Sequence, residues 1–110
     1  IILFRGGFAE DSLKILKNAA QKYPENADVS YALALLHAEL GDAGSALAEL
    51  ERTVRIDPGF VRAWYNLSIA QLQSGKLDGA LKSIDTAIRL SPNSAELYNV
   101  KNFILSRKNK

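Results

Sequence analysis

The chain has 110 residues, 47% of them apolar and 24% charged, with 7 Gly, 3 Pro and neither Cys nor Met. Without Cys there is no disulfide framework, thiolate metal site or Cys nucleophile, and either redox compartment remains open. Its 14 Lys and Arg exceed its 12 Asp and Glu by 2, but Arg107, Lys108 and Lys110 all fall in the last four positions. The rest of the chain carries one more anion than cation, which speaks against a phosphate-tracking groove and a nucleic-acid partner.

The chain opens on Ile1-Ile2-Leu3-Phe4. Neither this run nor any later one approaches the ~18–20 apolar residues of a membrane span. No basic segment precedes it and no small-residue cleavage site follows, so it is not expected to be a signal peptide. Starting without Met, the chain reads as a piece of something longer. Ile1–Arg5 reads as the remnant of a helix, Gly6-Gly7 as a turn, and Phe8 to Lys22 as a helix ended ahead of Pro24. Ala27–Leu40 follows, then a turn at Gly41-Asp42, a helix over Ala43–Ile56, and Asp57-Pro58. Val61 to Ser74 is apolar at Trp64, Leu67, Ala70 and Leu72, a near-3.6 spacing. Gly75-Lys76 breaks it. Leu77 to Leu90 resumes the spacing and stops before Pro92, because the residue preceding a proline is pushed out of the α region. A last helix runs from Ala95 to about Arg107.

These elements repeat. Pro24, Pro58 and Pro92 are 34 residues apart, as are Gly7, Gly41 and Gly75, and Leu13, Leu47 and Leu81. Ser12, Ala46 and Ala80 form a small column at the same period; Ala19, Thr53 and Ala87 form another; Leu16, Leu50 and Ile84 are branched aliphatic. Such periodicity predicts stacked helical hairpins. Small residues at Ala34, Ser68, Ala46, Ala80, Thr53 and Ala87 let helix axes approach to about 8 Å while larger side chains interlock around them.

With Trp64-Tyr65-Asn66-Leu67, Gly75, Ala80-Leu81, Ala87 and Leu90-Ser91-Pro92 in this register, the sequence resembles the tetratricopeptide repeat (TPR) family. The second unit is close to the pattern at Tyr31, Leu33, Ala34, Gly41, Ala46-Leu47 and Ile56-Asp57-Pro58. It departs from it with Ser30 for the usual Trp and His37 for the usual Tyr. The resemblance implies an all-α, right-handed superhelix of antiparallel helical hairpins forming a single domain. Residues 1–26 would be a partial first repeat, 27–60 the second, 61–94 the third, and 95–110 a capping helix with a basic tail. The cap would face inward through Leu97, Tyr98, Ile104 and Leu105, with polar Lys101 and Asn102 where a continuing array would use Leu and a small residue.

The resemblance also implies a function: a non-catalytic module that binds a peptide segment or partner protein in a concave groove lined by the first helix of each hairpin. The inward positions are Asp28, Tyr31, Ala32 and Leu35, then Arg62, Tyr65, Asn66 and Ile69, then Glu96, Asn99, Val100 and Phe103. This mixture suits an extended peptide or a helix more than a reacting centre. A clamp for C-terminal carboxylates, as some TPR domains have, would need Lys and Asn, then Asn, then Lys or Arg pairs. Asn66 supplies the middle position, but Tyr31 and Leu35 before it and Glu96 and Val100 after it do not supply the pairs. The alternative register through Ala32, Arg62 and Asn66 fails as well.

His37, the only histidine, lacks the fellow ligands a metal needs and the partners of a Ser-His-Asp set; it reads as a half-buried side chain in the family's Tyr slot, and no metal or cofactor is expected. Trp64 reads as core and not as a stacking platform. The Gly pairs lack the Gly-Lys-Ser/Thr of a phosphate loop. The terminal Arg107-Lys108-Asn109-Lys110 reads as a solvated, frayed helix end. Other expectations are a structural spacer in a longer solenoid, a regulatory module fused to an enzyme, and weak homodimerisation through the apolar Ile1–Phe4 remnant.

Overall fold

The computed structural model describes residues 2–109, with side chains from residue 9 onward. It contains six helices: α1 (Ile2–Lys22), α2 (Ala27–Glu39), α3 (Ala43–Ile56), α4 (Val61–Gln73), α5 (Leu77–Leu90) and α6 (Ala95–Lys108), with no strand among the described residues. The chain divides into two compact units, Ile1–Pro58 and Gly59–Lys110.

The turns closing the α2–α3 and α4–α5 hairpins are built alike. Gly41 and Gly75 have φ of +82° and +79°. At the first turn, Gly41 N donates to Ala38 O at 3.1 Å and Asp42 N to His37 O at 2.8 Å. At the second, Gly75 N donates to Leu72 O at 3.1 Å and Lys76 N to Gln71 O at 2.8 Å. This paired closure satisfies carbonyls that a helix end otherwise leaves bare, and its left-handed residue favours glycine.

Gly6-Gly7 behaves differently from the expected turn: α1 runs unbroken from Ile2 to Lys22. Glycine permits a turn without imposing one, and a segment as short as Ile1–Arg5 is well below the length at which a separate helix holds itself. The expected dimer contact through Ile1–Phe4 depends on side chains outside the described residues.

In the first unit α2 packs on α1 and α3. Among the described residues, those buried and apolar in this unit are Ala9, Leu33, Ala34, Ala46, Leu50 and Val54. Among them lies a polar cluster where the family pattern has Trp. The Ser30 hydroxyl sits 3.0 Å from Glu49 O and 3.1 Å from Glu49 Oε1, while Thr53 Oγ1 is 2.7 Å from Glu49 O. Burying hydroxyls is tolerable only when they are bonded, and these are.

In the second unit α5 packs against both α4 and α6. Ala80, Ile84, Ala87, Leu97 and Ile104 form the buried centre, with Val61, Trp64, Tyr65, Leu72, Leu81, Ile88 and Val100 packed around it. Ala80 and Ala87, two of the small-column residues expected where helices meet, are wholly buried. Two expectations need correction. Trp64, expected in the core, is half-buried at its margin. In α6 the inward stripe is centred on Leu97 and Ile104, seven residues apart; Tyr98, a hundred degrees round the helix from Leu97, is exposed.

Candidate functional site

The side chains singled out from the repeat register lie outside the buried cores. On α2, Asp28 and Leu35 are exposed and Tyr31 is half-buried. Their i, i+3, i+7 spacing puts them on one helical face. On α4, Arg62 is exposed, and Tyr65, Asn66 and Ile69 are half-buried. On α6, Asn99 and Phe103 are exposed, Phe103 at 52%. Leu35, Ile69 and Phe103 share one column, and leaving Leu35 46% and Phe103 52% exposed gives that column apolar surface in both units.

In the second unit the register brings three groups together. Arg62 Nη1 donates to Glu96 Oε1 at 3.0 Å, and the Arg62 guanidinium lies 4.4 Å from the centre of the Tyr65 ring. Arg62 and Tyr65 are three apart on α4, so they stack along one face, while Glu96 arrives from the first turn of α6. Partial burial raises the Tyr65 phenol above its ordinary range; a hydrogen bond to Glu96 and that carboxylate's charge push the same way, and Arg62 opposes them. The result is a local ion pair laid over an aromatic ring, with opposite charges cancelling. A further guanidinium, Arg107, lies 6.0 Å from the Phe103 ring centre.

Other singled-out groups have structural surroundings. His37 is buried, more deeply than expected, with Nδ1 3.9 Å from Asp42 Oδ2. Asp42 in turn caps α3 by accepting from Ser45 N at 3.1 Å. Its carboxyl is held below the ordinary carboxylate value by the hydrogen bonds from Ser45, with smaller help from the charges of His37 and Lys17. The basic tail differs from the expected frayed end: α6 continues to Lys108, whose Nζ pairs with Asp78 Oδ1 at 2.6 Å, and Lys101 Nζ pairs with Asp85 Oδ1 at 2.8 Å. The middle and the C-terminal end of α6 are thus tied to α5. Sequence reasoning passed over these pairs because they link residues 16 and 30 positions apart, beyond any helical spacing rule. Among the described residues no group of three or more His, Cys, Asp or Glu could hold a metal ion, and no helix is long and apolar enough to cross a membrane.

A family model described as tetratricopeptide repeat matches residues 1–60 and again residues 31–95. Protein FlbA of Caulobacter vibrioides is 30% identical over 86 residues, covering 78% of this chain and 14% of FlbA. The chain therefore spans about a seventh of that relative's length. Among solved structures, the first TPR domain of Spaghetti bound to an HSP90 peptide superposes with a TM-score of 0.87 at 19% identity, covering 97% of this chain and 85% of that one. The Yersinia enterocolitica type III secretion chaperone SycD, in complex with a peptide of the translocator YopD, gives 0.82 at 18% identity over 96% and 86% of the two chains. At these identities the structural likeness is one of fold.

Proposed function

The chain belongs to the tetratricopeptide repeat family, and on that premise we propose that it is a protein-interaction module, binding a peptide segment or partner protein through the first-helix faces and carrying out no chemistry. The observation that carries this reading is the repeated column of side chains left outside the cores. Leu35 and Phe103 are exposed at equivalent positions, with the Arg62–Tyr65 stack beside Ile69 on α4. Large apolar side chains kept out of a core at a regular period suit a partner better than solvent. Spaghetti and SycD, which share the fold, hold peptides in their solved complexes.

A paired comparison tests the reading. Tyr65→Ala with Asn66→Ala removes an aromatic and an amide of the kind that dominates interfaces, about 2 kcal/mol or more each. Both are half-buried and Tyr65 packs at the margin of the core, so stability should fall by about 1–2 kcal/mol. Ile84→Ala, at a wholly buried position, should lose roughly 2–5 kcal/mol through a cavity and affect binding only by unfolding the site. Thermal melts and affinity capture from the source organism measure both. A double variant that folds normally and keeps every partner would remove these faces from the binding surface.

A further inference from the structure

We propose that Glu96 sets the charge preference of the α4–α6 face, holding Arg62 so that the face takes an uncharged, apolar-rich peptide and turns acidic segments away. The proposal rests on the reading that this face binds peptides at all.

Arg62 is the cation an acidic ligand would seek on α4. Its guanidinium is already bonded to Glu96 at 3.0 Å and stacked on the Tyr65 ring at 4.4 Å. A ligand carboxylate would have to displace Glu96, which would then stand uncompensated beside it, or approach while Glu96 stays in place. Either route sets like charges a few ångströms apart, which disfavours the wrong partner more than it weakens the right one. A basic ligand meets the converse obstacle, since the Tyr65 ring already has its guanidinium and Arg62 repels a second cation. Arg107 lies toward the far end of α6, over Phe103. With the Arg62 and Glu96 charges cancelled, the face around them is exposed Asn99 with half-buried Ile69 and Val100, and exposed Phe103 carries the Arg107 guanidinium at its far end. Its complement is a neutral segment with aliphatic or aromatic side chains.

Arg62 and Glu96 side chains are 55% and 53% exposed, so the pair can be altered without opening a core. Glu96→Gln keeps an oxygen for the Arg62 bond and removes the charge. Two immobilised libraries of short peptides with blocked ends serve as probes. One is drawn from Leu, Val, Phe, Tyr, Ser, Asn and Gly; the other is the same with Asp or Glu at every third position. The full chain should be retained by the neutral library about tenfold or more over the acidic one, with little response to added salt. Glu96→Gln should raise the ratio of acidic to neutral retention by about tenfold at low salt and lose that gain at high salt. Glu96→Ala should act likewise, and adding Arg62→Gln should abolish the gain.

Equal retention of the wild type on both libraries would overturn the role of Glu96 while upholding peptide binding. So would a Glu96→Gln protein with wild-type selectivity. Retention of neither the wild type nor any variant on either library would overturn the peptide-binding reading and this proposal with it.

Discussion

Thr53 Oγ1 lies 3.0 Å from Ser30 Oγ, joining two hydroxyls inside the first unit, Thr53 wholly buried and Ser30 only 4% exposed. One repeat later the same two positions are Trp64 and Ala87. A large-and-small apolar pair in the second unit is thus replaced by a bonded polar pair in the first, each filling its site by different means. Ser30→Trp alone should therefore overpack the site and cost about 1–3 kcal/mol. Thr53→Ala in the same chain should return part of that loss by making room. A double-mutant cycle read by thermal denaturation checks the coupling; purely additive losses would separate the two positions.

A second prediction comes from unequal helix caps. Asp42 accepts from Ser45 N, whereas its repeat equivalent Lys76 makes no side-chain cap bond to α5. Lys76→Asp places a cap oxygen in the same register, where Gly79 N is the equivalent donor. It should stabilise the chain by about 0.5–1 kcal/mol, seen as a rise in Tm. An unchanged Tm would show that the Gly75 turn does not present residue 76 as the Gly41 turn presents residue 42.

Stability should also have an acid limb with identifiable sources. Asp42 and Asp78 both have carboxyls held below the ordinary 3.8, Asp42 by Ser45 and Asp78 by its hydrogen bond and charge pairing with Lys108. A carboxylate lowered in the folded state contributes stability above its unfolded pKa. That contribution is lost as pH falls through the folded value. The loss should begin near pH 3.8 and continue below it. Both carboxyls are exposed and screened by water, so Asp42→Asn, which keeps a capping oxygen, combined with Asp78→Asn should flatten the limb only slightly. Melting curves collected over that range decide; an unaltered slope would assign the acid sensitivity to other carboxylates.

Much of this fold was legible because repetition supplies independent votes on each position. Gly41 and Gly75 announce the turns, and the small columns mark where helices meet. Depth was harder to read. Periodicity reports a direction around a helix and not how far a neighbour reaches, so it sets Trp64 deeper, and Tyr98 further inward, than they lie. His37 went the other way and is buried. The Ser30–Thr53 bond was invisible because two polar residues in apolar columns read as departures until their partner, Glu49, is seen beside them. For the candidate site, the register named Arg62, Tyr65 and Glu96 one by one. Their convergence follows only once α6 returns over α4 one repeat later, which places Glu96 against Arg62.

The last prediction concerns what α6 does for the second unit. Leu97 and Ile104 are buried against Ile84 and Ala87, whereas Lys101 and Lys108 reach Asp85 and Asp78 across exposed or half-exposed ground. If apolar burial holds the helix and the ion pairs only set its register, the two classes of substitution must separate. Ile104→Ala removes wholly buried atoms from a site that cannot fully collapse, and should cost roughly 2–4 kcal/mol. Lys108→Ala breaks an exposed pair whose attraction is screened by water and salt, and should leave the Tm nearly unchanged. Truncation after Pro92 removes both kinds of contact and uncovers Ile84 and Ala87, so that fragment should aggregate or lose cooperative unfolding. Thermal melts of the two point variants, with sedimentation of the fragment, make the comparison. A soluble, cooperatively folding 1–92 fragment would show that α4 and α5 need no cap. A Lys108→Ala protein as unstable as Ile104→Ala would mean that the ion pairs, and not the apolar stripe, hold α6 in place.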